Sequence, residues 1–597
     1  MLDTLNKIWQ ILNIKERYSL IAVSILIFIG SALELAGIGM LLPFIALLSD
    51  VENLTKKWYL KLFSDFFKCE SPESLLTIMA VILIIFFMAK NFFLFTLTFI
   101  QSKFINHLYR RISDTLFKTY MHSSYAFHLQ KNSAHLLKNL QAVYFLCRVL
   151  MSSVMILFSE LLLISLIACF LVILYPYSST VIISLMIVFS SLFYYFMRKK
   201  IKYWGEVQHV QEKFAIQHVK QGLAGIKEAK LMGCEDHFCD LYENNLSMMA
   251  KSFFYQDVLN QSPRLYIETL SVVLCLSFMI YYFQTGMKPG DVFIEFSLLA
   301  IVAIRLMPSM NRIVSALVLI RFQLPSLHLV HADISSLQLK HGRVSDEKKI
   351  AFNNVIELEN VSFRYEGTAD DTLKHISVSV KKNSSAAFVG ATGAGKTTIV
   401  DIILGLLKPQ SGKVIVDGYD IHDFLSSWQK SIGYVPQDIS LADTSIKENI
   451  AFGILPENVD NKRLERAVKI SMLEDFIREL PEGLDTVIGE DGVRLSGGQR
   501  QRIGIARALY NDPEIIVLDE GTASLDNLTE DAVIKALDRL NREKKTIIIV
   551  AHRLSTVRRC DKIYFVKNGQ IAATGTYDEL IKSSDDFAQM LTAGQLN

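Results

Sequence analysis

Cysteine is scarce in this chain, and its positions are scattered. The seven cysteines are Cys69, Cys147, Cys169, Cys234, Cys239, Cys275 and Cys560. Their number is odd and none of them forms a Cys-x-x-Cys pair, whereas disulfide frameworks and zinc sites use paired, closely spaced cysteines. We therefore expect reduced thiols and no bound structural metal.

Charge is also low. Charged residues make up 20% of the chain, and the formal net charge is only +2. Nucleic-acid binding depends on a strongly basic surface, and such a surface would have to be argued locally here. We expect no nucleic-acid partner.

The N-terminus lacks a short apolar run followed by a small-residue cleavage site, so we do not expect a cleaved signal peptide. Instead Leu5, Ile8, Trp9 and Leu12 recur at helical spacing among polar residues. That pattern predicts an interfacial helix over residues 1–17 that leads into a membrane.

Long apolar runs, by contrast, are abundant. Hydrophobic residues reach 51% and the mean hydropathy is +0.29. The apolar segments cover residues 19–48, 75–100, 144–174, 178–197, 258–283 and 292–320. Because about 20 apolar residues cross a bilayer, we predict a transmembrane domain of six helices over 18–325. A linker over 326–350 and a soluble α/β domain over 351–597 follow.

Basic residues set the predicted orientation of these spans. They cluster in the second-to-third and fourth-to-fifth connections, for example at Arg110, Arg111, Lys199 and Lys200. By the positive-inside rule both termini are cytoplasmic in a multi-pass protein of the inner (plasma) membrane. Each of these connections contains a candidate docking piece, near 122–130 and 222–233. A solvated helix end is the alternative for both.

One outer loop has an amphipathic pattern. Its aromatic and leucine side chains repeat about every four residues, at Trp58, Tyr59, Leu62, Phe63, Phe66 and Phe67. The pattern predicts a short helix on the outer membrane surface. The alternative is a helix that packs on the protein's own outer loops.

Four cations fall inside or at the edge of the predicted spans: Lys90, Arg264, Arg305 and Arg312. Arg305 and Arg312 are seven residues apart, hence nearly on one helical face. Intramembrane cations usually face the protein interior and mark a pathway, so we predict a basic belt that contacts substrate. The alternative is snorkelling, or pairing with Glu34, Glu160, Glu268 or Glu295.

The most specific motif lies between a short apolar strand and an apolar helix. Its residues are Gly390, Ala391, Thr392, Gly393, Ala394, Gly395, Lys396, Thr397 and Thr398. This is the G-x-x-x-x-G-K-[ST] phosphate loop in its expected strand–loop–helix setting. Its backbone N–H groups and the helix N-terminus point at a polyphosphate, Lys396 adds charge, and the Thr397 hydroxyl binds Mg²⁺.

Further motifs follow this loop at characteristic spacing. Tyr365 precedes it. Behind it come Gln437 after a strand, the run Ser496, Gly497, Gly498 and Gln499, the pair Asp519 and Glu520 at the end of an apolar strand, and His552 after another strand. Each is weak alone, but their order behind one phosphate loop makes coincidence negligible.

With these motifs, residues 355–597 resemble the nucleotide-binding domain of ATP-binding cassette (ABC) transporters, and the six-span half is similar to their exporter class. The resemblance implies ATP and Mg²⁺ as cofactors, with Tyr365 stacked on adenine and Mg²⁺ held by Thr397, Gln437 and, through water, Asp519. It makes Glu520 the general base and places His552 at the γ-phosphate. Residues 496–499 would complete the site of an opposite subunit, so we expect a homodimer, with a heterodimer as the alternative.

The outer amphipathic pattern and the basic belt together look similar to bacterial lipid-linked oligosaccharide flippases. Arginine forks suit a pyrophosphate headgroup, and the long tail would stay in lipid. We therefore expect flipping of a polyprenyl-pyrophosphate-linked oligosaccharide to the outer leaflet. The alternatives are exporters of lipid A-like lipids, drugs or peptides.

Overall fold

The computed structural model describes residues 2–49, 72–174, 176–284, 289–338, 351–519, 535–536, 538–551 and 557–592. The chain divides into two compact units. The first comprises Met1–Ser123 and Phe127–His341, and the second comprises Ser124–Ala126 and Gly342–Asn597. The predicted outer-surface helix and the catalytic pair Glu520 and His552 lie outside the described residues.

Helices form the first unit, except that Tyr125 and Ala126 group with the second unit. These helices are α1 (Leu2–Ile11), α2 (Ile14–Ser49), α3 (Pro72–Met121), α4 (Tyr125–Gln130), α5 (Ser133–Tyr144), α6 (Ser152–Leu174), α7 (Pro176–Ala224), α8 (Ile226–Met232), α9 (Glu235–Gln284), α10 (Pro289–Phe322) and α11 (Leu324–Gln338). A π-helical stretch, Phe145–Met151, joins α5 to α6. Every apolar segment predicted from the sequence falls within one of these helices or this continuous stretch, so the predicted helical positions are confirmed.

Several helices meet the length and hydropathy needed to cross a bilayer. Within the described residues these are Ile14–Leu41, Leu76–Met121 and Ser133–Ile173, and the bent pair Leu306–Phe322 and Leu324–Ser335 adds a fourth. Several helices continue well beyond the length of a bilayer crossing. The 50 residues of α3, at a rise of 1.5 Å each, extend for about 75 Å.

The apolar face of α1 is partly buried against the protein and partly exposed. Ile8 and Leu12 are buried in the core of the first unit, whereas Leu5 and Trp9 are exposed. Part of the apolar face of α1 therefore packs on the protein itself, and the interfacial role of residues 1–17 stays a prediction. Glu16 lies shortly after α1, near the start of α2. Arg111 on α3 donates two hydrogen bonds to its carboxylate, at 2.8 and 2.7 Å.

A 46° bend separates α10 from α11. Pro325 lies in the first turn of α11, where its ring excludes the carbonyl four residues earlier and breaks the helical ladder. At this bend α7 approaches closely, since a Cβ on Gly205 would lie 2.9 Å from the carbonyl oxygen of Phe322. Because α11 continues to Gln338 in the first unit, much of the predicted linker over 326–350 is helical.

The second unit contains two sheets. Its strands are β1 (Val355–Phe363), β2 (Leu373–Lys381), β3 (Ser385–Val389), β4 (Ser411–Val416), β5 (Tyr419–Asp420), β6 (Ile432–Val435), β7 (Ile515–Asp519), β8 (Thr546–Val550), β9 (Lys562–Lys567) and β10 (Gln570–Gly575). An antiparallel sheet has the order β2-β1-β4-β5, and a larger sheet has the order β10-β9-β3-β8-β7-β6. The larger sheet is parallel from β9 to β6.

The second unit also contains helices, several of which pack on the larger sheet. They include α12 (Lys396–Ile403), α13 (Leu425–Lys430), α14 (Ile446–Ile450), α15 (Asn461–Ile470), α16 (Glu474–Glu479), α17 (Gly497–Leu509), α18 (Tyr577–Ser583) and α19 (Asp585–Thr592). All residues of β3, β7 and β8 are buried, as expected for parallel strands covered on both faces. The predicted α/β P-loop fold is confirmed.

Candidate nucleotide site and membrane cations

The phosphate loop joins β3 to α12, as predicted. Gly393 and Gly395 have positive φ angles of 82° and 102°, a region that residues with side chains rarely adopt. A Cβ on Gly390 would lie 2.2 Å from the carbonyl oxygen of Val566. The loop therefore requires glycine at these positions, which explains the motif in steric terms.

Lys396 is folded back over this loop. Its side chain is buried, and Nζ donates hydrogen bonds to the carbonyl oxygens of Gly390 at 2.7 Å and Ala391 at 3.0 Å. Burial lowers the pKa of Lys396, and the nearby Asp519 charge opposes that shift. The ammonium group is thus held at the loop in which phosphates bind in P-loop proteins.

The carboxyl ends of the parallel strands bring Asp519 to the same edge as the loop. Asp519 is in register with Val550 of β8, which is also in register with Phe388 of β3. Burial raises the pKa of Asp519, while Lys396 counteracts the shift. Adjacent strands are about 4.8 Å apart, so the two charged groups face one small region.

The donor groups at this edge suit Mg²⁺. Gln437 follows β6 by two residues and is exposed, as is Thr397. A hydroxyl, an amide oxygen and a carboxylate are oxygen ligands of the kind that Mg²⁺ prefers, and that ion also keeps several waters and phosphate oxygens. Groups of three or more His, Cys, Asp or Glu side chains suited to a metal are absent from the described part of the chain. The site therefore fits an ion whose remaining ligands come with the nucleotide.

Residues 496–499 form the start of α17. Ser496 Oγ accepts from the Gln499 N–H at 3.2 Å, and Gln499 Oε1 accepts from the Ser496 N–H at 2.8 Å, which is a capping box. Ser496 and Gly497 are exposed, and the space around a Cβ on Gly497 is open within 4 Å. This helix end is therefore well ordered yet accessible.

Tyr365 lies beside the phosphate loop. Its phenol oxygen is 3.1 Å from Thr398 Oγ1, and its ring meets Phe363 edge-on with centroids 5.0 Å apart. The structure thus places Tyr365 near the nucleotide loop. Its stacking on adenine stays a prediction.

The four predicted membrane cations have different surroundings. Arg312 Nε lies 2.6 Å from Glu160 Oε1, which is one of the pairings considered as an alternative to substrate contact. Lys90 Nζ is 4.4 Å from the centre of the Phe87 ring. Arg264 is exposed on α9, and Arg305 belongs to α10 although its side chain lies outside the described groups.

Comparison with known families decides the identity of the chain. A model of the ABC transporter family, described as "ABC transporter", matches residues 373–523, and a model of the ABC transporter transmembrane region matches residues 39–304. This chain belongs to the ABC transporters. The resemblance inferred from the motifs is therefore confirmed at the level of the family.

Relatives of this ABC transporter include proteins from Staphylococcus aureus strains NCTC 8325 and COL that carry the name multidrug export ATP-binding/permease protein. Each is 42% identical over 242 residues, which is 40% of this chain and 41% of theirs. The match thus spans about two-fifths of the length of these relatives. A solved bacterial Atm1-family ABC exporter with ATP bound superposes with a TM-score of 0.78 over 97% of this chain and 99% of its own. At 22% identity that likeness shows the exporter fold.

The structure also reveals groups around the nucleotide site of this ABC transporter that its motifs did not indicate. Asp401 on α12 is buried, and its pKa is raised to about 6 by burial and then by the Asp519 charge. Burial likewise raises the pKa of Tyr434 on β6, with further contributions from Asp519, Asp401 and Tyr125. Tyr125 belongs to the second unit by its contacts, in the predicted docking piece near 122–130. The sequence does contain one signal for Asp401, because it is a single acidic residue within the apolar run of α12.

Proposed function

We propose that this ABC transporter couples ATP hydrolysis to the export of amphipathic molecules from the cytoplasmic side of a membrane. The observation that carries the proposal is the arrangement of Lys396 and Asp519 at one edge of a parallel sheet, beneath a glycine-dependent phosphate loop. Long apolar helices in the same chain support transport as the work that hydrolysis drives.

In this proposal each part of the cassette has a distinct task. The loop N–H groups and Lys396 bind the phosphates, and Thr397, Gln437 and Asp519 hold Mg²⁺ directly or through water. Bound Mg²⁺ neutralises charge that develops on the transferring phosphoryl group. Glu520 follows Asp519 in the chain, and it orients and deprotonates the attacking water. His552 contacts the γ-phosphate.

A second copy of the chain completes each site in the proposal. The ordered, exposed helix end at Ser496 and Gly497 offers N–H groups and a helix dipole to an anion. Because this helix end is exposed on a single chain, it is available to lie opposite the phosphate loop of a partner chain. A homodimer with two competent sites, with both termini in the cytoplasm and the spans in the inner membrane, is the arrangement we propose.

For the substrate, drug-like amphiphiles are the first candidate. The name of the Staphylococcus aureus relatives favours multidrug export, and the pairing of Arg312 with Glu160 removes one free cation from the predicted basic belt. A polyprenyl-pyrophosphate-linked oligosaccharide is the second candidate. The exposed Arg264 on α9 favours it, because a planar guanidinium suits the pyrophosphate of such a headgroup.

The two candidates differ in a reconstituted system. Inside-out proteoliposomes would receive Mg-ATP together with rhodamine 6G or an undecaprenyl-pyrophosphate glycolipid. ATP-dependent uptake of the dye supports the first candidate, and uptake of the glycolipid alone supports the second. Failure of every probe to be transported or to stimulate hydrolysis would refute amphiphile export.

A further inference from the structure

A hydrogen bond ties the side chain of Tyr365 to the helix that begins in the phosphate loop. The phenol oxygen of Tyr365 and Thr398 Oγ1 share this bond, at 3.1 Å. Thr398 directly follows Thr397 on α12, two residues after Lys396. Only 5% of the Thr398 surface is exposed. Because water has little access to this hydroxyl, the loss of its tyrosine partner would leave a buried polar group unpaired.

The main chain around Tyr365 is held independently of that bond. The Tyr365 carbonyl oxygen accepts from the Thr368 N–H at 3.2 Å and from Thr368 Oγ1 at 2.8 Å. One residue earlier, the Gln410 side chain accepts from the Arg364 N–H at 2.8 Å and donates to the Arg364 carbonyl oxygen at 2.7 Å. The torsions of the tyrosine side chain are therefore the freedom that remains.

Two contacts set the direction of the Tyr365 ring. Phe363 meets it edge-on, with the ring planes at 89°, and Thr398 holds its far end. The ring is still partly exposed, so a planar base can reach it. Stacking between a base and an aromatic side chain depends on the orientation of the ring. A ring that is already oriented loses less conformational entropy when a ligand binds.

The bond thus connects the two ends of the proposed nucleotide site. Lys396 and Thr397 are the proposed contacts of the phosphates and Mg²⁺, and Tyr365 is the proposed contact of adenine. Because Thr398 follows the phosphate contacts on one helix, its bond to Tyr365 fixes the distance between the aromatic ring and the phosphate loop. A ligand with both a base and a chain of phosphates gains from this fixed distance, whereas a bare polyphosphate does not.

We infer that Thr398 is a positioning residue that acts through the Tyr365 hydroxyl and holds the aromatic ring at the spacing a purine nucleoside triphosphate requires. The inference rests on the proposed ATP site and names the feature that makes this site prefer a nucleotide to a free polyphosphate. Since Thr398 acts through Tyr365, removing either hydroxyl has the same consequence, and removing both has no larger one.

The test compares AMP-PNP, a slowly hydrolysed ATP analogue, with inorganic tripolyphosphate, which has the phosphates alone. Isothermal titration calorimetry with Mg²⁺ on full-length protein in nanodiscs gives the dissociation constant of AMP-PNP. Displacement of AMP-PNP gives that of tripolyphosphate, so that weak binding is still quantified. The readout is the ratio of the two constants.

The variants are Tyr365→Phe, Thr398→Val and the double variant, with Thr398→Ser as the conservative replacement that keeps the hydroxyl. Tyr510→Phe is the matched control. The Tyr510 hydroxyl accepts from the Asp460 N–H at 2.7 Å, at the start of α15. This control therefore also removes a tyrosine hydroxyl that makes a hydrogen bond within the cassette.

Tyr365→Phe and Thr398→Val should each weaken AMP-PNP binding relative to tripolyphosphate by about three- to tenfold, the scale of one neutral hydrogen bond. The ratio cancels any direct phosphate contact that Thr398→Val removes. The double variant should match the single variants. Thr398→Ser and Tyr510→Phe should keep the native ratio.

A change of less than about threefold in Tyr365→Phe overturns the inference, as do effects that add in the double variant. Tighter AMP-PNP binding by Tyr365→Phe also overturns it, because the bond would then hold the ring in the place of the nucleotide. Tyr365→Phe is decisive if Thr398→Val folds poorly. Native protein that binds neither AMP-PNP nor tripolyphosphate would instead refute the proposed ATP site, so the two failures are distinguishable.

Discussion

The Tyr120 hydroxyl donates a hydrogen bond of 2.5 Å to the Asp333 carboxylate and so ties α3 to α11. Asn139 on α5 donates to the same carboxylate oxygen at 2.6 Å. One acidic side chain therefore joins three helices of the first unit, and Tyr120 is itself buried.

Tyr120→Phe should destabilise the first unit by about 1.5–3 kcal/mol, since it deletes a hydrogen bond to a charged acceptor. The thermal unfolding midpoint of the purified full-length protein measures this. Tyr109→Phe is the matched control on α3, because Tyr109 is partly exposed and packs edge-on against Tyr144. Equal midpoints for the two variants would show that the tie contributes nothing.

Glu520→Gln should bind ATP and hydrolyse it about 10²–10⁴ times more slowly, because the general base is lost while the phosphate contacts remain. Phosphate release and binding of a fluorescent ATP analogue would be measured on one preparation. Glu514→Gln provides the control, since Glu514 lies before β7 and pairs with Lys382 at 3.1 Å. Turnover at the native rate would remove Glu520 from the mechanism.

Asp401→Asn should change how stability depends on pH. The pKa of Asp401 is raised to about 6 from 3.8 by burial, so the folded protein binds this proton more tightly than the unfolded chain does. Protonated Asp401 therefore contributes to the stability of the folded protein below about pH 4, and this contribution is lost as the pH rises to about 6.

The variant should therefore gain stability relative to the native protein between pH 4 and pH 7, by up to about 3 kcal/mol on the scale of 1.36 kcal/mol per pKa unit. Unfolding midpoints of both proteins across that range give the difference. Asp423→Asn, at an exposed position, should show a flat difference. A flat profile for Asp401→Asn as well would contradict the assigned environment.

Gly205→Ala should be destabilising by about 1–3 kcal/mol, the usual cost of overpacking, because its Cβ would lie 2.9 Å from the Phe322 carbonyl oxygen. Gly222→Ala is matched on the same helix, where the nearest atoms to a Cβ, on Phe238, are 3.4 Å away. That change should be neutral or stabilising, since alanine favours helix over glycine by about 1 kcal/mol. Unfolding midpoints that rank the two variants the other way would refute the close contact.

Local chemistry explains what the sequence predicts well. The phosphate loop needs glycine at positions that one stretch of chain defines, so Gly393, Gly395 and Lys396 are recognisable without knowledge of the rest of the fold. The helical segments follow for a similar reason, because hydropathy along one helix is a local property.

Pairings between distant segments are a different matter. Arg312 and Glu160 are 152 positions apart in the sequence, and four glutamates were equally available as partners until the helix neighbours were known. The burial of Ile8 and Leu12 depends in the same way on which helices α1 meets. The environment of Asp401 follows from the order of strands in the larger sheet, which periodicity along the chain does not specify.

The close contact of Gly205 with Phe322 divides α7 into two segments of unequal length. At 1.5 Å per residue, Gly205 lies about 44 Å from the start of α7 at Pro176 and about 28 Å from its end at Ala224. If a rigid α7 rotated about this contact, Ala224 would move by about two-thirds of the displacement at Pro176. The position of this one glycine thus sets the ratio between the displacements at the two ends of the helix.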